Sequence, residues 1–392
     1  MKAGWPLTTL ADLTKDRPIC YGVLKPGERQ TEGVRLIRIT DIRENYLDPS
    51  DLYLITDELS AEFKRSILMG GEILLSIQGT IGRVALCPDE YAGSNISRTI
   101  ALIDPDERVD RSFLRYFLLS MEGKFPTGGA TRASLNISDI RKIAVPLPPL
   151  EQQRRIVAVL DEAFEGLARA RENTEANLAS ARELFESHKT NVLAQTGSDS
   201  EEVLLSEVAD IVSGLVDPRE KAYEDFLHLG AGNMTSGSDE LVEVKTAREE
   251  KLKSGKYLFD QKAVLYSKIR PYLRKAARPD FSGLCSADVY PITPSPEKLT
   301  RDFLFHLLLS HEFTEYAISG SNRAGMPKVN RNHLFAYRFK LPPLAKQQLM
   351  ALAIDQADIE CRTLTELYRT KLQDLDDLRQ SLLRQAFAGE LT

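Results

Sequence analysis

At 392 residues, with 42% hydrophobic and 28% charged side chains, the chain has room for two or more cores and the composition of an ordinary globular protein. Its four cysteines (Cys20, Cys87, Cys285, Cys361) lie far apart, which excludes a disulfide framework or a CxxC zinc site and fits a reducing compartment. A net charge of −6 excludes a uniformly basic surface, though a local one can hide inside the sum.

The opening MKAGWPLTTLADL lacks the apolar stretch and cleavage site of a signal peptide, and no run of about 18 apolar residues follows anywhere. A cytoplasmic protein without a membrane span is expected. Residues 1–148 read as a mixed α/β domain. VRLIRI (Val34–Ile39) alternates as a half-buried strand, EILLSI and KIAVPL are short apolar runs, and Gly70, Gly71, Gly79, Gly82, Gly128 and Gly129 mark turns. RSFLRYFLLSM has helical spacing, and its aromatic face predicts core packing.

Residues 149–197 differ. From Glu151 to about Gln195 there is no proline, and Ile156, Leu160, Ala163, Leu167, Ala170, Thr174, Leu178, Ala181, Phe185 and Val192 recur at helical spacing. Residues 198–342 return to mixed α/β character. Inside them, Lys245–Arg278 holds eleven Lys/Arg against Glu249, Glu250 and Asp260, a net +8 that reads either as a solvated face or as local basic surface. Residues 343–392 form a second helical stretch, with Met350, Ile354, Ala357, Cys361, Leu364, Tyr368, Leu375, Leu378 and Leu382 on one seam. Both stretches predict long coiled-coil-type helices, some 45 residues and roughly 65 Å each. Pro148-Pro149 and Pro342-Pro343 fix each junction between domain and rod, because proline cannot sit inside a helix. Seam positions assign Cys361 and His188 to packing, and aspartate at Leu364 or Leu375 should disturb it.

The chain repeats itself. LPPLEQQRRIVAVLDEA (Leu147–Ala163) returns as LPPLAKQQLMALAIDQA (Leu341–Ala357), offset by 194 residues and identical at seven of 17 positions, among them Gln153/Gln347 and Asp161/Asp355. The same offset pairs Asn136 with Asn330. Slightly smaller offsets pair FLRYFLLS with FLFHLLLS, and ILLSIQGTIGRVAL with VLYSKIRPYLRKAA. A duplicated domain-plus-helix unit tends to pack about a pseudo-two-fold axis. The expected fold class is therefore α+β: two mixed α/β domains in tandem repeat, separated by an antiparallel two-helix coiled coil in which Ile156–Val192 faces Met350–Leu382. Two such heads could read DNA half-sites about one turn apart. Their turn residues differ, so the half-sites should differ.

This order of domains and helices resembles the specificity subunits of Type I restriction-modification systems over essentially the whole chain. The junctions PLPPLEQQRRIV and KLPPLAKQQLMA, the terminal SLLRQAFAGELT and the strand-turn-strand GGEILLSIQGTIGRVAL carry the resemblance. The second head departs from it: KIRPYLRKAA places Arg270, Pro271 and Leu273 against the glycine-bearing turn QGTIG. The resemblance implies a non-catalytic protein whose two target-recognition domains read a split site in double-stranded DNA. It implies helices that bind two modification (methyltransferase) subunits carrying S-adenosylmethionine, with restriction subunits using ATP and Mg to complete the endonuclease.

The sequence has no NPPF/DPPY-type loop, no glycine-rich cofactor turn, no GxxxxGK[ST] and no metal-binding acid cluster, so no catalytic residue, metal or cofactor is assigned to this chain. Candidate DNA contacts are polar and basic residues on turns, since Arg, Lys, Gln and Asn can pair with base edges and Ser/Thr with phosphates. In the first head they are Arg38, Thr40, Gln78, Thr80, Arg83, Arg98, Arg132 and Ser134. In the second they are Asn233, Lys268, Arg270, Tyr272, Arg274, Lys275, Asn322, Arg323 and Lys328. A two-headed coiled-coil scaffold that joins proteins without touching nucleic acid is the rival reading, and the acidic net charge favours it.

Overall fold

The computed structural model describes residues 4–43, 46–48, 50–51, 53–126, 134–212, 214–321 and 327–391. The chain divides into two compact units, Met1–Glu175 with Arg369–Thr392, and Ala176–Tyr368. Two helices of 45 residues each, Leu150–Ala194 and Leu344–Ala388, each contribute one part to either unit. Among the described residues no helix is long and apolar enough to cross a membrane.

In the first unit, the strand Leu7–Thr9 pairs antiparallel with Ala144–Pro146, closing the start of the head on its end. A four-stranded sheet runs in the order Cys20–Tyr21, Ile100–Ile103, Ile73–Ser76, Val84–Leu86. A three-stranded sheet beside it has Val34–Ile37 between Tyr53–Ile55 and the parallel strand Asn95–Ile96. The helix Arg111–Ser120 begins at Asp110, whose carboxylate accepts the Phe113 amide, and buries Phe113, Leu114 and Phe117. This is the core packing expected of RSFLRYFLLSM. Ile156 and Leu160 from the first long helix and Leu383, Ala386 and Phe387 from the second join the same core. Here the two long helices run in opposite senses: Arg379 stacks on Phe164, and Arg171, further along the first helix, pairs with Asp376, which lies further back along the second.

The second unit repeats the plan. Glu201–Leu204 pairs with Arg338–Leu341, and a four-stranded sheet runs Ala209–Asp210, Val289–Pro294, Val264–Ser267, Ala276–Ala277. A five-stranded sheet again contains a parallel pair, Leu227–Leu229 with Gly283–Cys285. The stretch RDFLFHLLLSHEFTEYAI is two helices, Arg301–Leu308 and His311–Ser319. It breaks because the Ser310 hydroxyl accepts the Phe313 amide and starts a new helix.

The repeated glutamines explain the repeated junction. Gln153 is fully buried; its Oε1 accepts from Asp110 N (2.8 Å) and its Nε2 donates to Arg108 O (3.1 Å) and Pro148 O (2.8 Å). Gln347 does the same with Thr300 N (2.8 Å), Lys298 O (2.8 Å) and Pro342 O (2.8 Å). Each amide thus ties the start of a long helix to the cap residue of the head's aromatic helix, and satisfies groups that burial would otherwise leave unpaired. The repeated aspartates serve the same joint: Tyr116 donates to Asp161, and His306 at the equivalent place bonds Asp355 (2.9 Å).

The seam differs from expectation in three places. Leu364 is 41% exposed and Leu378 is exposed too, with Thr365 and Arg379 turned further inward, because residues at a single 3-4 spacing drift around a helix over ten turns. His188 is exposed, and the buried residue is its neighbour Lys189. Cys361 is half-buried, with its thiol directed at Ala181 O (3.6 Å).

Candidate nucleic-acid interface

In the first head, three backbone bonds bring distant turns to one edge. Ile77 N donates to Thr99 O (2.9 Å), Leu135 N to Ile77 O (2.9 Å) and Ser97 N to Ile37 O (2.9 Å). Thr40, Gln78, Thr80 and Arg98 are exposed on the turns so gathered. Gln78 bridges to Ser134, a half-buried residue. Arg38 is held within the head: its guanidinium pairs with Asp41 (3.0 Å) and Asp51 (3.1 Å) and stands over the Tyr53 ring. Hydrogen bonds from Arg38 and Arg29 hold the Asp51 carboxyl below its ordinary range. Arg83 points inward and donates to Ile42 O (2.8 Å). Arg132 lies outside the described residues.

The second head builds the same frame. Lys268 N donates to Asp288 O (3.0 Å), Val329 N to Lys268 O (2.8 Å) and Ser286 N to Leu229 O (2.9 Å). Matching these bonds aligns the heads residue by residue. Gln78 corresponds to Ile269, Gly79 to Arg270, Thr40 to Gly232, Arg98 to Ala287 and Ser134 to Lys328. The frame is common, and the side chains it presents are not.

Arg270 and Arg274 flank a short helical turn, Pro271–Leu273, with left-handed backbones (φ 49° and 48°). Gly79, in the place of Arg270, has φ 75°, a conformation that glycine adopts freely and arginine at a cost of about 1 kcal/mol or more. Arg270 and Tyr272 are exposed, and Lys328 is exposed beside Asp288 (3.2 Å). The remaining candidates are engaged inside the unit. Arg274 donates to Leu309 O (2.6 Å) and pairs with Glu186 (2.9 Å) on the first long helix. Lys275 reaches Ala231 O (2.7 Å), and Lys268 reaches Ala287 O (2.6 Å) and lies over the Tyr290 ring. Asn233 caps Gly230 N (2.8 Å), as Asp41 caps Arg38 N (2.7 Å) in the first head. Asn322 and Arg323 lie outside the described residues.

The basic run Lys245–Arg278 does not form one uncompensated face. Acids from elsewhere in the chain meet it: Glu224 and Asp225 pair with Arg248, Asp288 with Lys268, Glu186 with Arg274, and Asp302, Asp239 and Asp355 with Arg278. Burial pushes the Asp355 carboxyl up, yet the bonds from His306 and Arg278 outweigh it and hold it at about 2. The network was legible only as the repeated Asp161/Asp355. Lys189, which sequence reading passed over, is 3% exposed and donates to Leu309 O (3.1 Å). Among the described residues no group of three or more His, Cys, Asp or Glu could hold a metal ion.

Comparison with known proteins follows the same two-fold division. The family model for the Type I restriction modification DNA specificity domain matches residues 28–177 and again 197–373. The EcoDI specificity subunit of Escherichia coli is 34% identical over 186 residues, which is 47% of this chain and 41% of that protein. The chain therefore matches less than half the length of that relative. The StySPI specificity subunit of Salmonella potsdam is 19% identical over 426 residues, covering 99% of this chain and 89% of the relative. In fold, the chain is similar to the HsdS subunit from Thermoanaerobacter tengcongensis (TM-score 0.63, 18% identity, 100% and 98% covered). It is also similar to a chain from a structure on complex assembly and conformational transition of the type I R-M system (TM-score 0.76, 17% identity, 100% and 99% covered). With two matched domains on two heads of one hydrogen-bonded frame, the chain belongs to the Type I restriction-modification DNA specificity family.

Proposed function

We propose that this chain is the non-catalytic, DNA-sequence-reading subunit of a Type I restriction-modification complex in the cytoplasm. Reading domains at 1–148 and 198–342 each take one half of a split, asymmetric site in double-stranded DNA. The helical segments 149–197 and 343–392 form an antiparallel coiled-coil spacer between them and dock two modification (methyltransferase) subunits. S-adenosylmethionine then belongs to those subunits, and ATP with Mg to the restriction subunits. One observation carries the reading: two heads keep the same backbone bonds at one edge while exchanging the side chains there, as Gln78/Ile269, Gly79/Arg270 and Arg98/Ala287. A duplicated scaffold that keeps these backbone bonds while changing the side chains at that edge suits two different half-sites, about one helical turn apart. The pairing of the basic run with acids speaks for the rival protein scaffold, and a salt titration separates the two. The logarithm of the affinity for duplex DNA should fall linearly with the logarithm of the salt concentration, because each phosphate contact releases counterions. A protein scaffold has no such affinity to lose.

A further inference from the structure

Two arginines of the second head stand on left-handed backbone, Arg270 (φ 49°, ψ 63°) and Arg274 (φ 48°, ψ 54°). That conformation crowds a β-carbon, so a side chain held there calls for a compensating interaction. Arg274 has one: its guanidinium donates to Leu309 O (2.6 Å) and pairs with Glu186 (2.9 Å). Arg270 does not. Its side chain is exposed and meets no hydrogen-bond, ion-pair or ring partner among the described residues. At the equivalent place the first head has Gly79, with φ 75° and no side chain to present. Within the second unit, no described contact offsets the strain of an arginine at 270.

The backbone there is nevertheless held firmly. Arg270 N donates to Pro327 O (2.9 Å), Leu273 N donates to Arg270 O (2.9 Å), and Ile269 bridges to Lys328. The Cα of Arg270 is thus fixed at the candidate edge while its guanidinium is left unengaged. Lys328, the exposed cation beside it, is already paired with Asp288 (3.2 Å). An exposed guanidinium can meet a phosphate or a base. A phosphate accepts from a cation at many angles, and a lysine on relaxed backbone serves it well, so a fixed and strained Cα adds nothing there. A guanine edge differs, because O6 and N7 accept two bonds together only from a planar fork set at one place. We propose, on the footing of the DNA-reading function, that Arg270 reads one guanine of the second half-site through O6 and N7 in the major groove. Arg270 is then a specificity-determining residue, and the contact has no counterpart at Gly79 in the first head.

The test selects duplexes from a random-sequence library with the full chain, alone and together with modification subunits. The unmodified chain should enrich a motif with an invariant G·C pair in one half. Replacing that guanine by 7-deazaguanine, which lacks the N7 acceptor, should weaken binding at least about fivefold. Arg270→Lys keeps the charge and loses the fork. It should relax that one position, leave the other half of the motif and the melting temperature unchanged, and bind guanine and 7-deazaguanine duplexes alike. An unchanged motif with Arg270→Lys would overturn the proposal. So would an Arg270→Ala variant that weakens every duplex equally and lowers the salt slope by about one, which would assign the side chain to a phosphate. Enrichment of no motif in either form would overturn the DNA-reading function, and the guanine contact with it.

Discussion

Lys189 offers a quantitative test of how the second unit is built. The ammonium is buried against Leu309 O, and burial, with Arg274 nearby, lowers its pKa from 10.5 to about 8. A shift of that size corresponds to about 3 kcal/mol of penalty on the charged form. The sign follows from proton counting. Between pH 8 and 10.5 the unfolded chain holds the proton that the folded chain has released, so stability rises with pH across that window, and the penalty is complete below pH 8. The repeat-equivalent position in the first unit is Leu383, which is buried and carries no charge. Lys189→Leu should therefore stabilise the second unit. Leu309 O keeps two bonds from Arg274, at 3.1 and 2.6 Å, so the substitution leaves no orphaned carbonyl. Allowing about 1 kcal/mol for the lost hydrogen bond, the net gain near pH 7 is about 2 kcal/mol. That should raise the melting temperature by roughly 4–8 °C for a unit of this size. Differential scanning calorimetry at pH 7 and pH 10 measures it. The gain should be present at pH 7 and shrink sharply by pH 10. A variant that melts lower at pH 7, or whose gain is the same at both pH values, would refute the reasoning.

Three further outcomes follow from the same geometry. Gln347→Leu leaves Pro342 O buried, and Thr300 N and Lys298 O partly buried, without their partner and should lower stability in denaturant titrations by about 3 kcal/mol. Ile354→Asp, at a fully buried seam position, should destabilise by several kcal/mol, whereas Leu364→Asp on the exposed face of the same helix should change stability by less than about 1 kcal/mol; thermal melting of the two variants compares them directly. Arg270→Gly should relieve its left-handed backbone and raise stability by up to about 1 kcal/mol while weakening duplex binding, so calorimetry and a DNA-binding isotherm should move in opposite directions.

The features readable in the sequence were those that local chemistry dictates. Pro148-Pro149 and Pro342-Pro343 precede helices that begin at Leu150 and Leu344, and the aromatic runs at Phe113 and Phe303 are core. The directions of long polar side chains were not readable, because they depend on atoms far away in the chain. Arg83 and Arg98 look alike in sequence, yet Arg83 bonds a carbonyl 41 residues back and Arg98 is exposed. The partners of the net +8 run Lys245–Arg278 were hidden for the same reason, since Glu186, Glu224 and Asp355 meet it from outside the window. On the long helices the apolar spacing suggested Leu364 and His188 for the seam, but the helix phase turns Thr365 and Lys189 inward. The glutamine joints stood in the repeat as identities without a stated role, and only the hydrogen bonds of Gln153 and Gln347 supply one.

The two-reader account is tested most directly by exchanging residues 202–340 for the corresponding segment of another family member and sequencing the methylated bases in a host that supplies the modification subunits. The account predicts that one half of the methylated motif changes and the other half stays as it was. A swap that altered both halves, or neither, would contradict it.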